Sequence, residues 1–119
     1  MIYGIGNDII EPERVMEACR REHFRSSMFT EAELSEAEKH PLRLASDFAA
    51  KEAVSKALRT GFRSFSPRDI ECLRDELGAP YIRLYNGALR LSEELSIKKI
   101  HISISDTEAL VSAVAIAEI

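Results

Sequence analysis

Apolar and polar positions alternate from Ile2 to Ile10, which predicts a strand with Gly4, Gly6 and Asp8 on one face and Tyr3, Ile5, Asn7 and Ile9 on the other. Pro12 suits a helix first turn, and the stretch Glu13–Arg25 continues as a helix. Thr30-Glu-Ala-Glu33 has the spacing of a capping box, so a second helix starts around Ala32 and fades before His40-Pro41. A third, alanine-rich helix runs from about Leu44 to Leu58 and stops near Thr60-Gly61. Two strands follow, Asp69–Arg74 and Pro80–Leu84, joined through Asp75 to Gly78 as a hairpin. Asn86 caps a helix to about Leu95. Ile100, Ile102 and Ile104 then alternate with His101, Ser103 and Ser105, a half-buried strand, and Leu110–Ile116 supplies the last one. The order β-α-α-α-β-β-α-β-β predicts an α+β fold.

Composition narrows the class. The 119 residues suffice for one domain with its own core, with no repeat and no low-complexity linker, so residues 1–119 read as a single unit. A net charge of −4 argues against nucleic acid as a partner, which would need a basic footprint. The longest uncharged run near the end, Ala109–Ala117, is too short to span a bilayer, and no signal peptide opens the chain, so no membrane association is expected. Cys19 and Cys72 lie far apart without zinc-ligand or disulfide-framework spacing, as expected of reduced thiols in a cytoplasmic protein.

Three groups of residues carry candidate chemistry. Asp8 closes a Gly-x-Gly-x-Asp strand whose glycines clear space on its own face for something bulky; a turn or capping aspartate fits equally well. Glu52 and Lys56 are four apart and share a helix face. A carboxylate beside an ammonium suits a metal-bound phosphate, although a surface ion pair of about 0.2–0.5 kcal/mol has the same spacing. Glu52 falls between Phe48, Ala45 and Ala49, where an unpaired charge is costly, which favours a site. Lys51 points about 100° away and reads as solvated. Thr60 and Gly61 offer a hydroxyl and backbone N–H groups to phosphate oxygens, or simply stop the helix. His101, Ser103 and Ser105 share a strand face and can line one pocket, or form a polar outer surface. His23 and His40 read as surface residues.

Gly4-Ile-Gly-x-Asp8-Ile, Phe29-Thr-Glu, Phe48-Ala-Ala-Lys-Glu52-Ala-x-x-Lys56-Ala, Gly78-x-Pro80-Tyr and His101-x-Ser-x-Ser occur in this order over essentially the whole chain. Together they resemble holo-acyl-carrier-protein synthase, of the 4′-phosphopantetheinyl transferase superfamily. The resemblance implies an antiparallel sheet packed against helices, and transfer of 4′-phosphopantetheine from coenzyme A to a serine of apo acyl carrier protein, releasing 3′,5′-ADP. It implies that Asp8 and Glu52 hold Mg²⁺, and that Lys56 contacts the diphosphate and offsets charge on the leaving group. It implies further that Thr60 and Gly61 approach the nucleotide and that His101 helps position coenzyme A, with Arg59 and Ser103 beside them expected as further substrate contacts. It also implies a homotrimer with sites between subunits, where Asp8 and His101 of one chain meet Glu52 and Lys56 of its neighbour.

The carrier is acidic, and on an unbroken first helix Arg14, Arg21 and Arg25 form a docking stripe at i, i+7 and i+11. Three departures lie near the expected substrate. Asp47 stands where the family usually has arginine, Arg59 replaces the first glycine of a Gly-Thr-Gly loop, and Asp106 replaces a histidine. An anion at position 47 is expected to weaken phosphate binding, with Arg43 or Arg59 compensating. Two other readings remain: a catalytically silent carrier-binding protein that retains the fold, and a metal-dependent phosphohydrolase acting on nucleotides.

Overall fold

The alternating N-terminal segment is strand β1, Ile2–Ile10, in a computed structural model that describes all 119 residues. It forms one edge of a three-stranded antiparallel sheet ordered β1-β5-β4, in which β4 is Lys99–Asp106 and β5 is Val111–Glu118. The register sets Gly4, Gly6 and Asp8 opposite Ala117, Ala115 and Ala113, and those alanines opposite Ile100, Ile102 and Ile104. This face packs on the long fourth helix of the chain, α4, Arg43–Ala57.

The contact is unusually close, and that explains the glycines. A Cβ on Gly4 would lie 2.1 Å from the Ala57 carbonyl oxygen, and one on Gly6 would lie 1.8 Å from that of Ala53. The space expected to receive something bulky is therefore filled by the backbone of α4 itself. Ala49, Ala53 and Ala57 of the helix and Ala113, Ala115 and Ala117 of β5 are all fully buried. Small side chains on both surfaces let the main chains approach.

The expected first helix is two helices. Helix α1 spans Pro12–Ala18 and α2 spans Glu22–Met28, with a break at residues 19–21. Val15 and Phe24 are nine positions apart, which at 100° per residue would put them on opposite sides of a straight helix. The break lets both reach the core: Val15 is buried, and Phe24 packs on Phe29 and Phe48 with ring centres 6.3 and 6.4 Å away. Arg25 closes the break by donating Nη1–H to the Cys19 carbonyl at 2.9 Å. Helix α3, Glu31–Ala37, begins with the expected capping box, in which Thr30 Oγ1 accepts from Glu33 N–H and Glu33 Oε1 accepts from Thr30 N–H.

Strands β2, Ile70–Arg74, and β3, Pro80–Leu84, form a separate two-stranded hairpin after a single 3₁₀ turn at Pro67–Asp69. Asp75 Oδ1 accepts the Leu77 and Ala79 N–H groups, and Gly78 supplies the positive φ the turn requires. Helix α5 is Asn86–Glu94. Asn86 is its first residue rather than its cap, and its amide donates to Asp69 Oδ1 instead. No helix is long and apolar enough to cross a membrane.

Lys51 is not solvated. It is fully buried, donates to Glu33 Oε1 at 2.8 Å and Pro67 O at 3.1 Å, and also bonds Ile70 O. Glu33 Oε2 in turn accepts from Cys72 N–H at 2.9 Å. One buried ion pair thus ties α3, α4 and the start of the hairpin together.

Candidate active site

The two motifs that looked most chemical, on β1 and α4, meet within one chain. Asp8 is carried on the helix-facing side of β1, and Lys56 Nζ donates to its Oδ1 at 3.1 Å and to Asn7 O at 3.0 Å. Asp8 is 14% exposed, and its Oδ2 is buried with no hydrogen-bond partner. Glu52 lies one turn before Lys56 and is half-buried. Burial, then the Asp8 charge, push the Glu52 carboxyl above its ordinary value, and Lys56 opposes the shift. Lys56 thus pairs with Asp8 and acts on Glu52 only through its field, so both carboxylates have acceptor capacity left over.

This arrangement fits a hard divalent cation. An orphaned carboxylate oxygen beside a second, electrostatically strained carboxylate is relieved by positive charge. No group of three or more His, Cys, Asp or Glu side chains surrounds it. Two carboxylates suit Mg²⁺, which keeps several waters and takes the rest of its shell from substrate phosphate oxygens.

The distribution between chains differs from expectation. Asp8, Glu52 and Lys56 come together within one chain, and only the His101 strand face lies apart. His101 and Ser103 sit opposite Ile116 and Val114 on the sheet face turned away from α4. His101 Nε2 is 2.7 Å from Glu118 Oε1, and this hydrogen bond holds the Glu118 carboxyl below its ordinary value. Around them the face is apolar and open: Ile5 is 61% exposed, Ile9 60% and Val114 37%.

At the end of α4, Arg59 has φ +70° and its N–H bonds Lys56 O at 3.0 Å, the left-handed stop for which glycine is the usual residue. Gly61 has φ +61°, and its N–H bonds Ser55 O. The Thr60 hydroxyl donates to Gly61 O at 2.9 Å. Arg59 lies with its guanidinium 4.9 Å from the centre of the Tyr3 ring.

Asp47 is no intruder at the site. It is fully buried on another side of α4, where its Oδ1 accepts from Arg74 Nη1 at 2.9 Å. Burial pushes its carboxyl up to about 7 against the pull of Arg74. Asp106 shares a shallow cavity of about 350 Å³ with Lys39, His40, Arg43 and Ser46, and Arg43 lies 3.9 Å from Glu36. His23 and His40 are exposed as expected.

The broken helix removes the arginine stripe. Arg14 is exposed beside Glu11, Arg21 is exposed at the start of α2, and Arg25 is committed to Cys19. An apolar cavity of about 550 Å³ opens here instead, lined by Ile10, Val15, Ala18, Phe24 and Phe48 with Arg14 on its rim. Periodicity does not reveal it, because its walls come from three helices and β1. It adjoins the carboxylate pair through Ile9 and Ile10, the neighbours of Asp8.

The match with known proteins covers nearly the full length. Residues 4–115 fit the family described as the 4′-phosphopantetheinyl transferase superfamily, and the chain belongs to it. A holo-[acyl-carrier-protein] synthase of Lachnoclostridium phytofermentans is 48% identical over 119 residues, covering 100% of this chain and 98% of that one. Among solved structures, the holo-[acyl-carrier-protein] synthase of Neisseria meningitidis superposes with a TM-score of 0.91 at 37% identity, covering 100% of both chains. The Bacillus anthracis enzyme, solved in complex with CoA (3′,5′-ADP), gives 0.81 at 33% identity, covering 99% of this chain and 97% of that one. Within the superfamily this chain is therefore of the holo-acyl-carrier-protein synthase family, the phosphopantetheinyl transferases of acyl carrier protein.

Proposed function

We propose that this enzyme moves 4′-phosphopantetheine from coenzyme A to a serine of apo acyl carrier protein in a Mg²⁺-dependent reaction that releases 3′,5′-ADP. The observation that carries this is the buried, unpartnered Asp8 Oδ2 beside Glu52 and Lys56. Asp8 and Glu52 would hold Mg²⁺, which would supply positive charge to offset that of the diphosphate. Lys56, anchored on Asp8 and Asn7 O, presents its ammonium to the same diphosphate and stabilises charge developing on the leaving group. Thr60 and Gly61 border the nucleotide, but not as the expected phosphate donors, because the Gly61 N–H is bonded to Ser55 O and the Thr60 hydroxyl to Gly61 O. The attacking hydroxyl is the carrier's, so Ser103 serves as a contact and not as a nucleophile.

The same reading makes the enzyme a cytoplasmic homotrimer. Its support is the open apolar face of Ile5, Ile9 and Val114, which a second copy would cover. Packing that face against a neighbour brings His101 and Ser103 of one subunit towards the coenzyme A bound at the carboxylate pair of another. Arg21 and Arg14, the latter in an exposed pair with Glu11, are at the surface to meet acidic side chains of the carrier, and the apolar cavity next to Arg14 accepts an apolar residue of the same partner. Both cysteines are buried and unpaired, as suits a reducing compartment.

Intact-mass spectrometry tests the reaction. Apo acyl carrier protein incubated with this enzyme, coenzyme A and Mg²⁺ gains one phosphopantetheine arm, and the gain disappears with chelator. No gain with several carriers, from enzyme shown to be folded, rules the transfer out. Steady hydrolysis of coenzyme A without carrier identifies a phosphohydrolase instead.

A further inference from the structure

Lys56 has two anchors, and they differ in kind. Its ammonium donates to Asp8 Oδ1 at 3.1 Å and to the Asn7 carbonyl at 3.0 Å, while the side chain is 51% exposed. A lysine on a flexible four-carbon stem loses much rotamer freedom when it is fixed, so its orientation depends on those two acceptors. Asp8 is also assigned to Mg²⁺, and an ammonium beside that cation is repelled by it. The Asn7 carbonyl has no such competing duty. It is the anchor that persists when the carboxylates are occupied.

Asn7 is out of keeping with its surroundings. On β1 its side chain has the parity of Ile5 and Ile9, both largely exposed, and it lies opposite Val114 on the sheet face turned away from α4. Asparagine is among the residues depleted in strands, and every neighbour on this part of β1 is apolar. Its carboxamide makes one hydrogen bond, from Nδ2–H to Ala113 O at 3.2 Å. Ala113 is the residue paired with Asp8. Strand β1 is an edge strand, with a ladder partner on one side only. The side-chain bond therefore adds a tie between β1 and β5 at the level of Asp8, on the residue whose own carbonyl receives Lys56.

We propose that Asn7 is a positioning residue for the transfer: its carboxamide pins β1 to Ala113, so that its carbonyl holds the Lys56 ammonium while the carboxylate pair is engaged. This deepens the transferase reading and rests on it. Asn7 acts through Lys56 alone. A leucine or valine in its place would suit the strand and the apolar face equally well, but would leave the edge strand without this tie.

The test is a double-mutant cycle in transfer kinetics with Asn7→Leu, Lys56→Met and both changes together. Asn7→Leu is expected to fold, and a thermal melt with light scattering verifies fold and molar mass. On its own it should lower kcat about 3- to 10-fold, the range of one neutral hydrogen bond, with the KM for coenzyme A little changed, because Lys56 acts on charge that develops on the leaving group. In the Lys56→Met background the same change should have no further effect. An unchanged kcat, losses that multiply in the double variant, or a loss accompanied by a change in molar mass overturns the proposal. If wild type transfers nothing, the transferase reading itself fails, and magnetic resonance of the ¹⁵N-labelled lysine ammonium groups decides the point on Asn7. The Lys56 signal, assigned by its absence in Lys56→Met, should persist in wild type with and without Mg²⁺ and should broaden or vanish in Asn7→Leu. A Lys56 signal that is the same in both proteins overturns the positioning role.

Discussion

Replacing Lys51 with methionine should lower the melting temperature sharply while leaving the transfer chemistry in place. Methionine retains most of the apolar stem and removes the ammonium. Glu33 is then left as a fully buried carboxylate that keeps only the Thr30 and Cys72 N–H groups, while Pro67 O and Ile70 O lose their donor. Removing one partner of a buried ion pair costs about 3–5 kcal/mol. In a chain of 119 residues each kcal/mol moves the midpoint by about 3–5 °C, so a fall of about 10–20 °C is expected. Adding Glu33→Gln removes the stranded charge, keeps an acceptor for Thr30, and should recover roughly 1–3 kcal/mol. Calorimetric melts of wild type, single and double variants measure these changes, followed by transfer assays well below the lowest midpoint. A midpoint within about 3 °C of wild type would refute the structural role of Lys51. A folded Lys51→Met with lost kcat would move this lysine into the chemistry.

Glu52→Gln, one residue away, should show the opposite behaviour: Mg²⁺-dependent transfer disappears while the midpoint is unchanged or slightly raised, since repulsion from Asp8 is relieved. Full activity in that variant contradicts the metal role. Asp47 gives a pH signature, because its folded value of about 7 lies above the ordinary 3.8. From about pH 4 to 7 the folded state holds a proton that the unfolded chain has released, so this contribution to stability falls as pH rises, by up to about 1.4 kcal/mol per unit. Denaturation titrations should therefore show Asp47→Asn gaining on wild type across that window, and the reverse slope would mean that attraction to Arg74 outweighs burial. Gly6→Ala forces a Cβ to within 1.8 Å of Ala53 O and should cost about 1–3 kcal/mol or more; a neutral effect in urea denaturation would disprove the close contact. Charge reversal at Arg14 and Arg21 should raise the carrier KM, most at low salt, whereas a KM that stays constant removes them from docking.

Local patterns disclosed what depends on neighbours in sequence. The alternation in β1 and β4, the capping box at Thr30 and the shared face of Glu52 and Lys56 are all properties of a few consecutive residues, and each stands as expected. Failures concern partners from afar. Lys51 read as solvated because its acceptors lie at Glu33, Pro67 and Ile70, and Asp47 read as a harmful anion because Arg74 is 27 positions away. Gly4 and Gly6 correctly signalled a close approach, but nothing nearby in sequence says that α4 is what approaches. The break after Ala18 has no glycine or proline to mark it, since its cause is the need to bury Val15 and Phe24 together. Strand parity placed His101 and Asp8 on faces of their own strands. Only the pairing through β5 shows that these are opposite faces of one sheet.

The glycine–alanine contact between β1 and α4 has a consequence for how the site responds to a ligand. Main chain rests on main chain there, so the spacing of Asp8 and Glu52 is governed by two backbones with little side-chain slack between them. The backbones that carry the two carboxylates have little room to move apart. Under the proposed metal role, folding of the rest of the domain would hold the two carboxylates close, and part of the affinity for a cation would be set in advance by alanines and glycines that never touch it.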